Sequence, residues 1–357
     1  MNRAYNFNAG PSAMPLEVLK EAQAEFLDYQ GTGMSVIEIS HRSAEYAAMH
    51  QETKELLREL MGIPEEYHIL FCQGGGSTQF LMVPANFHTK KYAAYVNTGV
   101  WAGKAMKEAA FFGEAYKAAS SADRNHSYIP QTFEVRPDTS YVHLTANNTI
   151  YGTEYPDFPH FDVPIVCDMS SDILSRPVNV ADFDLIYAGA QKNLGPAGVT
   201  LAIVKDDFLK TARTDLPTML KYQTFVDKDS TYNTPPVFAI YMVNKTLHWI
   251  KAQGGVEAIA KRNAEKAKLI YDAIDESDGF YIGHAEKPYR SKMNITFNLQ
   301  TPEMEKDFIA KGKAAGFVGI NGHRSVGGCR ASAYNAVTLE ACQALADFMR
   351  QYQKDHQ

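Results

Sequence analysis

Lys192 stands in Tyr187-Ala188-Gly189-Ala190-Gln191-Lys192-Asn193, a run entered from the apolar stretch Asp184-Leu185-Ile186. This puts a lysine where a buried strand ends, among small residues and two amides. Desolvation disfavours an ammonium, so a lysine held there loses its proton more readily than one in water, and the free amine can form a Schiff base. Upstream, Val163-Pro164-Ile165-Val166-Cys167-Asp168 is a second short apolar run that ends on a single ionisable residue. The carboxylate and the amine are 24 positions apart, on two strand ends. A carboxylate to partner a pyridinium nitrogen and a lysine to form a Schiff base are the pair that pyridoxal phosphate (PLP) chemistry requires.

Other segments carry groups that suit such a site. Gly74-Gly75-Gly76-Ser77-Thr78 follows an apolar run and precedes a helical stretch, so its N–H groups and the Ser77 hydroxyl could hold a phosphate at a helix N-terminus; a plain tight turn explains it equally well. No Gly-Lys-Ser/Thr follows, which excludes a Walker motif. Trp101, one of two tryptophans, lies between Gly99 and Gly103 past a strand, where its face could stack on a ring or merely pack. Asn147-Asn148-Thr149 follows another strand, as an Asx turn or as a source of a hydroxyl for a ring oxygen. His41-Arg42 and His323-Arg324 repeat a dipeptide suited to phosphate, and Arg330 is close behind in Gly327-Gly328-Cys329-Arg330-Ala331-Ser332. Arginine binds carboxylate and phosphate bidentately and histidine adds a titratable donor, so these residues suit a substrate with two anionic ends. In Asn233-Thr234-Pro235-Pro236, Thr234 reads as the N-cap of a following helix, and either side chain could face an anion.

These groups must be positioned by a scaffold of a particular kind. Between about residues 65 and 205, short β-rich runs (Ile69–Cys72, Tyr92–Val96, Tyr141–Leu144, the two strands above, and Thr200–Val204) alternate with helical stretches. That alternation marks an α/β domain whose mostly parallel sheet is covered on both faces, with ligands at the strand carboxyl ends. Two long helices are expected from Pro235 to about Ala252 and from Gly255 to about Asp275, the second long enough to bridge domains. Its charged residues Lys261, Arg262, Glu265, Lys266 and Lys268 read as a solvated face. A strand at Met293–Leu299, a helix from about Pro302 to Ala315, a strand near Phe317 and a last helix from Thr338 to about Gln353 suggest a smaller α+β domain.

A chain of 357 residues exceeds the size at which one core keeps growing, in keeping with two domains. Its net charge of −6 gives no global attraction to nucleic acid or anionic lipid. No apolar run reaches membrane-spanning length and the start lacks a signal-like stretch, so a cytoplasmic protein is expected. The four cysteines (Cys72, Cys167, Cys329 and Cys342) are far apart, with no zinc-like spacing, and read as reduced packing residues; no metal is expected.

Taken together, Phe7–Pro11, Glu38–Arg42, Leu70–Gly76, Asp168–Pro177, Tyr187–Gly198, Asn233–Pro236 and Gly322–Ser332 resemble the phosphoserine aminotransferases, in the class V group of fold-type I PLP enzymes, over nearly the whole chain. The resemblance implies a large domain (residues 16–260) with a mostly parallel seven-stranded sheet and a small α+β domain (residues 1–15 and 261–357). It implies that Lys192 carries PLP and shuttles the substrate α-proton, while Asp168 holds the pyridine nitrogen protonated. Trp101 would stack on the ring and Thr149 contact its O3′; Gly76, Ser77 and Gln191 would bind the phosphate, joined by Asn233 and Thr234 from the other subunit of a homodimer. Arg330 would take the substrate α-carboxylate, and His41, Arg42, His323 and Arg324 the distal phosphate or the glutamate side chain. Some members have serine at Ala9, a substrate-linked position, so Ala9 is given no role. The implied reaction converts 3-phosphohydroxypyruvate and L-glutamate to O-phospho-L-serine and 2-oxoglutarate in serine biosynthesis, with a side role in pyridoxine synthesis. Rival readings are a serine–glyoxylate or alanine–glyoxylate transaminase, which leaves the His-Arg pairs unexplained, and a cysteine desulfurase, which needs a nucleophilic loop cysteine. A non-catalytic phosphate-binding module would leave Lys192 unexplained.

Overall fold

The computed structural model describes residues 3–324 and 326–357. Its strands in chain order are β1 (Tyr5–Asn6), β2 (Tyr67–Cys72), β3 (Tyr92–Asn97), β4 (Glu114–Ser120), β5 (Thr139–Thr145), β6 (Ile165–Asp168), β7 (Leu185–Gly189), β8 (Thr200–Lys205), β9 (Tyr281–Gly283), β10 (Asn294–Leu299), β11 (Phe317–Val318) and β12 (Cys329–Ser332). Seven of them form one sheet in the order β2-β8-β7-β6-β5-β3-β4. Strand β8 runs antiparallel to both its neighbours and the remaining pairs are parallel, so the sheet is mostly parallel as expected.

The central strands are buried on both faces, which is why they read as near-continuous apolar runs. Alternate residues sort cleanly. Val142, Leu144, Cys167, Ile186 and Ala188 pack on one face, and Tyr141, Val166, Leu185 and Tyr187 on the other, under Phe80, Met82, Val83 and Phe87 of the helix Gly75–Phe87. Asp168 is two residues beyond Val166, so its carboxylate emerges on the face that this helix covers. Strand β4 escapes the sequence reading because Glu-Ala-Tyr-Lys-Ala-Ala-Ser has no β-branched residue and forms an edge where only Tyr116 and Ala118 are buried.

The helix Val237–Ala252 starts two residues later than expected. Pro236 occupies its N-cap without a side-chain hydrogen bond, so Thr234 is not the cap. The next helix, Gly255–Asp275, has 21 residues, roughly 30 Å at the usual rise. Val256 and Ile259 at its start enter the core beneath the large sheet; Ala267, Ile270 and Ile274 enter a second core with Phe7, Ile295, Phe297, Leu345 and Met349. Strands β12-β10-β9 form the sheet of that second core, crossed by the helix Leu339–Lys354, which Thr338 caps through the Ala341 N–H.

Lys266 corrects the expectation of a solvated face. It is 0 % exposed, and its Nζ donates to the carbonyls of Ala333 (3.0 Å) and Tyr334 (2.7 Å). Lys261, Glu265 and Lys268 are exposed as expected. The periodicity placed Lys266 on the buried face beside Ala267 and Ile270, but the type lysine outweighed it in the reading.

Candidate active site

The strand ends converge as the parallel order requires. Register pairs Thr145 with Asp168 and Asp168 with Tyr187, so the turns after β5, β6 and β7 start at one level of the sheet. Each turn delivers a functional group. Thr149 and Lys192 come from the first and third, and Lys192 Nζ donates to Thr149 Oγ1 at 2.7 Å. Asp168, 7 % exposed, accepts the Ser170 N–H at 2.9 Å through Oδ1.

A cavity of about 300 Å³ lies over these ends, lined by Gly76, Ser77, Trp101, Thr149, Asp168, Gln191, Lys192, His323 and Arg330 among others. The five other residues singled out in the sequence are elsewhere. Arg42, Asn233, Thr234 and Arg324 are exposed, His41 is half-buried, and none of them lines this cavity. Asn233 Nδ2 does donate to Gln73 Oε1 at 3.0 Å, beside the glycine turn.

Local sequence explains each placement. Gly74 has φ +88° and caps the helix Gly75–Phe87; a Cβ there would run into the Thr78 hydroxyl, so the turn requires glycine. The helix N-terminus thus opens into the cavity with Gly75, Gly76 and Ser77. Trp101 is the second residue of the helix Val100–Ala109, and Asn148 forms the Asx turn, its Oδ1 accepting from Ile150 and Tyr151 at 3.0 Å each. Arg330 reaches across from β12 and donates from Nη1 to the Thr149 carbonyl at 2.9 Å.

Burial lowers the Lys192 pKa to about 8, with Asp168 opposing the shift and Arg330 adding to it. Burial also raises the Asp168 carboxyl, against the Ser170 hydrogen bonds and the Lys192 charge. The amine is therefore partly free near neutrality. Thr145 Oγ1, Asn147 Oδ1, Trp101 Nε1 and Arg330 Nε are buried without a protein partner around this space. Orphaned polar atoms in such numbers mark a site built for a polar ligand.

Those donors fit PLP. An amine for its aldehyde, a buried carboxylate for its ring nitrogen, an indole for its ring face and a helix N-terminus for its phosphate share one cavity.

Residues 4–345 match the family Aminotransferase class-V. Phosphoserine aminotransferase from Lysinibacillus sphaericus (strain C3-41) is 57% identical, over 99% of both chains. The chain belongs to the phosphoserine aminotransferase family of class-V aminotransferases. Among solved structures, phosphoserine aminotransferase from Bacillus circulans subsp. alkalophilus superposes with TM-score 0.98 at 53% identity, covering 99% of each chain. A PLP-bound phosphoserine aminotransferase from Trichomonas vaginalis gives TM-score 0.93 at 37% identity, over 98% of this chain and 100% of that one.

For a phosphoserine aminotransferase family member, several cavity residues carried no assigned role in the sequence reading. Ala9 and Gly10 line the cavity, and Ser12 Oγ holds the Lys192 carbonyl at 2.7 Å from 180 positions away. Thr145 and Ser171 are one hydroxyl each on a strand or turn, with no local signal. Conversely Arg176, in the matching Asp168–Pro177 segment, has a structural partner: it grips the Asp172 carboxylate with Nε and Nη2 at 3.1 and 2.9 Å. Cys329 is buried in β12 and burial pushes its thiol up, which removes the desulfurase reading. Among the described residues no His, Cys, Asp or Glu cluster is able to hold a metal, and no helix is long and apolar enough to cross a membrane.

Proposed function

We propose that this chain is a PLP-dependent transaminase that exchanges the amino group of L-glutamate with 3-phosphohydroxypyruvate, yielding 2-oxoglutarate and O-phospho-L-serine in serine biosynthesis. The observation that carries it is the Lys192 amine, held by Thr149 in one cavity with Asp168 and Arg330, in a chain that is 57% identical to a phosphoserine aminotransferase. When bound, PLP supplies an aldehyde that captures amines and a cationic ring that takes up the electron pair left on the substrate α-carbon.

The chain's residues do the rest. Lys192 Nζ, with its lowered pKa, would take the proton from the substrate α-carbon and deliver it to the cofactor C4′ within the same half-reaction, the second half-reaction running the transfer in reverse. Asp168, a buried carboxyl, would pair with the ring nitrogen and favour its protonated form. Trp101 would stack on the ring and Thr149 would contact its O3′. Gly76, Ser77 and Gln191 would hold the cofactor phosphate, and Arg330 would take the α-carboxylate with its fork. His323 lines the same cavity and, with Arg324, serves the distal anion.

His41, Arg42, Asn233 and Thr234 act in this reading on the site of a second copy in a homodimer. The exposure of Arg42, Asn233 and Thr234 away from the chain's own cavity supports this, as do the exposed apolar side chains Met34, Ile37 and Tyr232 close to them in sequence. Residues 16–260 would be the cofactor-binding domain, with 1–15 and 261–357 the small domain; the separate apolar core around Phe7 and Ile295 supports that division. A cytoplasmic location follows from the pathway, and the pyridoxine-pathway substrate would use the same anion pocket.

The experiment has two stages. Mixed with PLP, the purified protein should develop borohydride-sensitive absorption near or above about 400 nm, and a mixture that does not would end the reading. Then Arg42→Ala should lower kcat/KM for the phosphorylated keto acid far more than for an unphosphorylated analogue; equal losses would sink the phosphate role and favour a glyoxylate-type transaminase.

A further inference from the structure

Asn294 lies at the start of β10 and is 0 % exposed. Antiparallel register pairs it with Ser332 and pairs Thr296 with Arg330, so these four side chains share the face of the small sheet that is turned toward the cavity. Its amide is fully used. Oδ1 accepts from Asn147 Nδ2 at 2.7 Å, while Nδ2 donates to Ser332 Oγ at 2.9 Å and to the Tyr334 hydroxyl at 3.1 Å.

Each partner leads to the site. Asn147 Nδ2 also donates to Ser171 Oγ at 2.9 Å, Ser171 accepts from Thr149 Oγ1 at 3.2 Å, and Thr149 Oγ1 accepts from Lys192 Nζ at 2.7 Å. Ser332 is two residues beyond Arg330 on β12. Tyr334 donates its hydroxyl to the carbonyl of Ala9, on the cavity wall, at 2.8 Å. Burial pushes the Tyr334 phenol up to about 12, so it remains a donor at neutral pH. The donor directions are consistent throughout: every hydroxyl or amide hydrogen of Asn147, Ser171, Thr149, Asn294 and Tyr334 in this chain has one acceptor.

The small sheet also approaches closely here. Gly152 has φ +75°, and a Cβ on it would come within 2.6 Å of the Asn294 carbonyl and of Thr296 Oγ1. Side chain and backbone of β10 are therefore both seated on the turn that carries Thr149.

We infer that Asn294 is a positioning residue, which fixes the strand bearing Arg330 against the turn bearing Thr149 and so sets the distance between the carboxylate-binding guanidinium and the Lys192 amine. An asparagine suits the place because it offers one acceptor and two donors from one planar group. Leucine, of the same branched shape but bulkier and without polar atoms, would leave an Asn147 N–H and the Ser332 hydroxyl without their Asn294 partner and take a donor from the Tyr334 hydroxyl, and β12 would shift to relieve them. A displacement of about 1 Å can cost up to about a hundredfold where geometry is this specific, and here it falls on the bidentate grip on the α-carboxylate and therefore on KM.

The inference rests on Arg330 gripping the α-carboxylate, and the test separates the two. Steady-state constants for L-glutamate and the phosphorylated keto acid would be measured for Asn294→Leu, Asn294→Asp, Arg330→Ala and the double variant Asn294→Leu/Arg330→Ala, each loaded with PLP. The single Asn294 variants should raise KM for both substrates roughly ten- to a hundredfold, with PLP affinity, read by equilibrium titration, kept within about threefold. In the Arg330→Ala background the Asn294→Leu effect should vanish, because the two act as a unit. Asn294→Asp keeps the shape and guards against a misfolded leucine variant. Asn86→Leu, removing another buried asparagine that bonds to Met82 and Leu220, should cost stability without moving KM. An Asn294→Leu effect of full size in the double variant, or an unchanged KM in both single variants, would overturn the inference alone. A KM unmoved by Arg330→Ala would overturn the carboxylate assignment beneath it.

Discussion

Lys192 should react as an amine with a midpoint near pH 8, and the sign of each neighbour's effect on that midpoint can be worked out. Burial lowers its pKa from 10.5 to about 8. That difference makes the ratio of free amine to ammonium about 300-fold larger at any pH, so roughly a quarter of the molecules carry a free amine at about pH 7.5. Asp168 stabilises the ammonium and Arg330 destabilises it. Asp168→Asn should therefore move the midpoint down, and Arg330→Gln should move it up toward that of an exposed lysine. The assay uses cofactor-free protein and a small amine-directed electrophile, applied for a fixed short time from about pH 6 to about pH 11. Peptide mass spectrometry then reads modification at Lys192, with exposed lysines such as Lys261 as internal reference. Restricted access to the cavity lowers the rate at every pH but leaves the midpoint in place. A Lys192 midpoint at that of the reference lysines, or shifts of the same sign in the two variants, would refute the electrostatic argument and with it the reason this lysine is a proton shuttle.

Two further outcomes test the frame around the site. Lys266 has a folded pKa of about 8 against 10.5 unfolded, so between those values the unfolded chain binds the extra proton and stability rises with pH, by up to roughly 3 kcal/mol. Lys192 contributes in the same window, so the comparison is with Lys266→Met: denaturant midpoints of that variant should climb less steeply from about pH 8 to 10, and parallel profiles would reject the buried-ammonium account. Asp172→Ala strips the bidentate partner from Arg176 where the Asp172 side chain is 0% exposed, and should cost about 3–5 kcal/mol in urea unfolding; a loss under about 1 kcal/mol would mean that Glu154, 3.9 Å from Arg176, takes over as partner.

The alternation of apolar runs and helices was enough for the α/β class, since strands buried on both faces must be apolar and short. Edge strand β4 was not legible, because a half-exposed edge imposes no such composition. Lys266 misled the reading for a related reason: residue type reports the usual environment, and only the carbonyls of Ala333 and Tyr334 make burial of that ammonium tolerable. Thr234 looked like a cap because its type suits one, but the helix starts after Pro236.

Within the site, the sequence by itself determined the chemistry. A lysine and an aspartate at the ends of two apolar runs, a glycine turn and an arginine among small residues name the reacting groups, because type and strand-end position survive in one dimension. Tertiary structure decided which of them share a cavity. It joined Arg330 to Thr149 and Lys192, and left His41, Arg42, Asn233, Thr234 and Arg324 outside. It also gave places in the network to Ser12, Asn147, Ser171, Asn294 and Tyr334, to none of which the sequence reading assigned a role. Their hydrogen bonds cross up to 325 positions of chain, and a partner at that separation leaves no mark on the local sequence.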